Sequence, residues 1–78
     1  MPTYIQLITT APKASGAGER MFETPKLFDA PDDKAASHEG AAEADRLIAA
    51  GAQWVSIDVV MQHGGRKVCP TIQRSRQP

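Results

Sequence analysis

The 78-residue chain is poor in cysteine and in aromatics, with one Cys, one Trp, one Tyr and two Phe, and its nine basic residues equal its nine acidic ones. A lone thiol, Cys69, can form no intramolecular disulfide, which excludes the stapled route by which small secreted domains are stabilised. No apolar run approaches the roughly 20 residues a membrane helix needs, and Met1–Thr10 has no basic leader, so the expected setting is the cytoplasm, with no membrane partner. Large aliphatic side chains are scarce too. Leu, Ile, Val and Phe number fourteen, whereas alanine alone numbers twelve. Zero net charge leaves collapse unopposed, but so small a core makes a marginal single domain spanning residues 1–78, one that gains from a partner or a second copy.

Patterning supplies the fold. Thr3–Thr10 (TYIQLITT) is rich in β-branched and aromatic residues, with Ile5 and Leu7 on one face and Tyr4, Gln6 and Ile8 on the other. Pro12 ends this strand, and the small residues of Ala11–Gly18 read as a mobile loop. Glu19–Thr24 offers a short second strand with either Met21 or Phe22 buried, and Pro25 and Pro31 keep anything nearby short. Asp29–Lys34 reads as a turn-rich connection, with Asp32, Asp33 or Ser37 as helix N-cap. From Lys34 or Ser37 to Ala50, the three-and-four spacing of Ala41, Ala44, Leu47, Ile48 and Gly51 predicts a helix, with Gly51 closing its C-terminus in a left-handed conformation.

Gln53–Gln62 (QWVSIDVVMQ) alternates most clearly, with Val55, Ile57, Val59 and Met61 on one face and Trp54, Ser56, Asp58, Val60 and Gln62 on the other. The Gly64-Gly65 pair predicts a hairpin turn into a last strand at Lys67–Gln73, with Val68 and Ile72 inward and Pro70 at an edge or bulge. Arg74–Pro78 reads as a frayed tail. These elements give an α+β domain: a small, mainly antiparallel sheet of three or four strands with one helix packed on one face, in the order β-(β)-α-β-β.

Motifs that would name a reaction are missing. Gly16 and Gly18 form a GxG without the third glycine of a dinucleotide fingerprint or a GK[ST], and His38-Glu39 starts an HExxH in which Ala42 replaces the second histidine. His63 and Cys69 could meet across the hairpin, with Asp58 the loose candidate for a third member, yet two ligands make no zinc site. The expectation is a non-enzymatic protein with no catalytic residues, no metal and no cofactor.

Charge and exposed surface are more telling. Residues 29–45 hold Asp29, Asp32, Asp33, Glu39, Glu43 and Asp45 against Lys34, while residues 63–78 hold Arg66, Lys67, Arg74 and Arg76 with no acid. The acidic segment is a candidate for binding a basic partner, since a row of carboxylates imitates nucleic-acid phosphates. Attraction between the two segments is the internal alternative, if the helix lies over the hairpin. A second candidate is the sheet face away from the helix, with Trp54 and Val60 joined by Tyr4 and Ile8. Against it stands a fold in which the loop covers that face or Trp54 caps the core.

In general format the chain resembles the small phage-encoded inhibitors of bacterial immunity, the anti-CRISPR proteins. The resemblance lies in size, in the helix GAAEADRLIAAGA before the hairpin WVSIDVVMQHGGRKVCPTIQ, and in the acidic segment. It implies a protein that binds a CRISPR effector complex in the cytoplasm of the host cell and blocks nucleic-acid recognition or nuclease recruitment, and it transfers no individual residue. The alternative is a small nucleic-acid-binding module that uses Arg66, Lys67, Arg74 and Arg76 on phosphates and stacks a base on Tyr4 or Trp54. A homodimer is compatible with either.

Overall fold

The computed structural model describes residues 1–76. Strand β1 (Thr3–Ala11) forms the centre of one antiparallel sheet, because both its sides find partners. Strand β2 (Met21–Phe22) and strand β3 (Lys26–Asp29) pair with successive parts of one side, and after helix α1 (Asp33–Ala49), strand β4 (Trp54–Met61) pairs along the other from Tyr4–Met61 to Ala11–Trp54. Strand β5 (Ile72–Ser75) closes the far edge against β4. The expected α+β architecture is therefore present, with one helix on a four- to five-stranded sheet.

The helix begins where its cap dictates. Asp32 has extended backbone and its carboxylate accepts from the Ala35 N–H at 2.8 Å, satisfying an otherwise orphaned donor. At the other end Gly51 adopts φ 118°, its N–H donates to Ile48 O and that of Ala52 to Leu47 O, the paired bonds of a Schellman closure. The face read from spacing is the one that packs: Ala44 is fully buried, Leu47 and Ile48 pack against the core and Ala41 is half-buried, while Ala36 and Gly40 extend the buried stripe toward the N-terminus and Gly51 is exposed. Gly40 explains how closely the helix sits, since a Cβ there would lie 2.7 Å from Val59 Cγ2 and 2.9 Å from Ile72 Cδ1.

That helix covers the face bearing Val55, Ile57 and Val59, which alternation places together and which are all fully buried. Register then decides the rest of the core. Tyr4, Ile8 and Thr10 stand opposite Met61, Ile57 and Val55 on β4, so Tyr4 and Ile8 belong to this covered face and pack with Ala36 and Ala44. The Tyr4 ring lies 5.7 Å from that of Phe28.

The segment after the loop differs from expectation in two ways. Met21 and Phe22 form a two-residue strand in which both are exposed, and Lys26–Asp29 is a strand where only a turn beginning at Asp29 is predicted. The pairs Thr9–Phe22 and Ile5–Leu27 span four steps on β1 but five on its partner, a one-residue bulge at Glu23-Thr24-Pro25 where the missing amide of Pro25 costs no ladder bond. A similar slip shapes the last strand. Val60 bridges Lys67, but pairing resumes only at Ile57–Ile72, with Pro70 in the looped-out stretch, so the regular strand is Ile72–Ser75 rather than Lys67–Gln73. Arg74 and Ser75 are thus strand residues, and the Arg76 N–H donates to Gln53 O; Gln77 and Pro78 of the expected tail lie outside the described residues. Gly64 and Gly65, at φ 82° and 65°, make the turn between Met61 and Arg66, as their pairing predicts.

Candidate functional site: the helix-free sheet face

With Tyr4 and Ile8 under the helix, the opposite face presents the other residues of each strand. Leu7 of β1 lies between cross-strand positions held by Phe22 and Leu27, and the three are 41%, 80% and 55% exposed. Ile5, paired with both Leu27 and Val60, extends the patch as partly buried residues. At the bulge a groove of about 480 Å³ opens between Leu7, Phe22, Pro25 and Asp58. On the β4 side the face turns polar, with Asp58 opposite Leu7 and Ser56 opposite Thr9.

Of the four residues assigned to this face from the sequence, only Val60 contributes to it. Tyr4 and Ile8 are corrected by register, as described. Trp54 does lie on the outer face but is 8% exposed, because the loop after β1 folds onto it: Gly16 packs on the indole, where a Cβ would stand 3.0 Å from Cε2, and the Arg20 guanidinium stacks 4.7 Å from the ring centroid. Arg20 Nε also donates to Gly16 O at 3.3 Å, tying loop to strand. Only Leu7 and Phe22 could have been suspected as surface from the sequence, and nothing there distinguished the two faces.

The acidic segment is engaged internally. Asp29 accepts from the Thr3 hydroxyl, Asp32 caps the helix, Asp33 binds Arg66 at 2.9 Å and Asp45 binds Arg74 at 3.1 Å. Glu43 pairs with Arg46 and, at 3.6 Å, with Lys26, while Glu39 lies 3.6 Å from Arg46. The basic cluster is the other half of the same arrangement: Lys67 pairs with Asp58 at 3.2 Å and the Arg76 guanidinium donates to the Ile48 carbonyl at the helix end. The hairpin thus lies against the helix, and two ion pairs, Asp33–Arg66 and Asp45–Arg74, join the acidic segment to the basic one.

Three carboxylates are held below their ordinary values, Glu43 among them, where burial acts to raise it but Arg46 and Lys26 outweigh that effect. The Arg66 guanidinium, then the Tyr4 hydroxyl at 3.0 Å, hold Asp33 below the usual carboxylate range. The Thr71 hydroxyl, with Lys67, does the same for Asp58 against the opposing effect of burial. Tyr4 moves up, through burial and its bond to Asp33. Burial also pushes the Cys69 thiol up, away from the thiolate form, and no hydrogen bond joins it to the exposed His63.

No family model, curated protein or solved structure matches this chain.

Among the described residues no group of three or more His, Cys, Asp or Glu could hold a metal ion, and no helix is long and apolar enough to cross a membrane. What the outer face can do chemically is bury apolar area against a complementary surface.

Proposed function

We propose that this protein is a non-enzymatic binding module that docks on a larger protein through the helix-free sheet face. The observation that carries the reading is the adjacency of exposed Leu7, Phe22 and Leu27 on that face. The partner class is a bacterial CRISPR effector complex, inhibited by occupation of its nucleic-acid or nuclease-docking surface; this part rests on the resemblance in size and in helix-then-hairpin format to phage-encoded inhibitors. Pairing of Arg66, Lys67 and Arg74 with carboxylates leaves little free positive charge for phosphates, which disfavours the nucleic-acid module.

The test is affinity capture from a bacterial lysate containing an active CRISPR system, with and without nuclease, comparing wild type with the F22S/L27S double variant. Both side chains are exposed, so the variant keeps its fold. Stoichiometric, nuclease-resistant recovery of the effector by wild type and its loss in the variant supports the reading. Recovery of nucleic acid alone, or equal recovery by the variant, overturns it.

A further inference from the structure

A second cavity lies on the other side of β2, between the end of β1 and the C-terminus of α1. It encloses about 370 Å³, within the range of ligand-sized pockets. Its walls are apolar, with Pro12, Met21, Leu47 and Ala52 among them, and Glu19 and Glu23 complete the lining. Those two glutamates are singular. Among the described residues every other carboxylate is held by a cation, a hydroxyl or a backbone amide, whereas Glu19 and Glu23 have neither ion pair nor side-chain hydrogen bond. The cavity also includes Ala50 and Gly51, at the helix end where the macrodipole is negative.

Negative charge, engaged at every other described carboxylate, is therefore left free at one concave, apolar-walled place. We infer that this cavity receives an arginine side chain of the protein partner, its aliphatic stem against Met21 and Leu47 and its guanidinium toward Glu19 and Glu23. Arginine suits the site better than lysine because a planar guanidinium serves two acceptors at once, sheds water more readily than an ammonium, and has a stem that packs on apolar walls. Met21 on this side and Phe22 on the other make β2 the common wall of cavity and docking face, so one partner surface reaches both.

The inference rests on reading the protein as a binding module, but its test needs no partner. Acetyl-arginine amide is titrated into the ¹⁵N-labelled protein at constant ionic strength, with acetyl-citrulline amide, equal in shape but uncharged, as control. Saturable amide shifts confined to residues 19–23 and 50–53, produced by arginine and not by citrulline, and weakened at least tenfold in the E19Q/E23Q variant, are expected. Equal shifts with citrulline, shifts away from the cavity, no saturable shifts at all, or unchanged binding by the variant overturn the proposal. Its failure leaves the docking face standing, since that is tested separately by loss of capture in F22S/L27S.

Discussion

At the residue scale, Gln6 is the clearest departure from a well-satisfied core. It is 1% exposed on the helix-covered face and its Oε1 has no hydrogen-bond partner. An acceptor buried without a donor loses its water and gains nothing in return, at a cost of about 1–3 kcal/mol. Gln6→Met keeps the length and removes the polar atom, so it should raise the urea midpoint by the equivalent of about 1 kcal/mol. Cys69 makes the opposite point. Its thiol is partly buried against the core and its titration is pushed up, so Cys69→Ser should leave partner capture unchanged.

Among the elements, the helix-to-sheet contact is the most constrained. Gly40 lowers helix propensity, yet it lets α1 approach until Val59 and Ile72 occupy the space a Cβ would fill. Gly40→Leu forces the helix outward and should lower stability by about 1–3 kcal/mol, read as a drop in thermal midpoint. A helix held by propensity alone would instead gain from losing its glycine. The two bulges, at Glu23-Thr24-Pro25 and around Pro70, do the complementary work for the strands: each absorbs a proline outside the ladder and resets the register beyond it.

On the scale of the whole molecule, the balance of charge becomes a latch between hairpin and helix. Asp33 joins Arg66 and Tyr4, and Asp45 joins Arg74, from helix to sheet, while Asp58 joins Lys67 and Thr71 within the hairpin. Asp33 and Asp58 titrate below their unfolded values near 3.9, and Glu43 below its own near 4.3, so their stabilisation is complete above those pH values and is lost as pH falls through the folded ones. Tyr4 is raised, so its contribution is complete below about pH 10 and is lost above it. Thermal midpoints should therefore fall on both limbs, and Asp33→Asn should make the acid limb shallower, because it removes one of the titrating acids, while the alkaline limb changes less, because burial, the main cause of the Tyr4 shift, remains. An acid limb unchanged in that variant would show the latch to be idle. How much of this was legible follows from range. Alternation marked β1 and β4 and their two faces, spacing marked α1, and Gly51 and the Gly64-Gly65 pair marked where the chain must turn, since each signal is local and fixed by backbone geometry. Lys26–Asp29 left no such mark: four of the five residues between Pro25 and Pro31 become a strand only because β1 offers them an unpaired edge. Which face α1 covers, and hence whether Tyr4 and Ile8 are core or surface, depended on register between strands distant in sequence. So did the fate of Asp33 and Asp45, whose partners Arg66 and Arg74 stand about thirty residues away on the hairpin, and the isolation of Glu19 and Glu23. Composition and periodicity determined the elements of this protein; only tertiary packing decided which residues remain free to meet a partner, because exposure and ion pairing belong to the assembled surface and not to any stretch of chain.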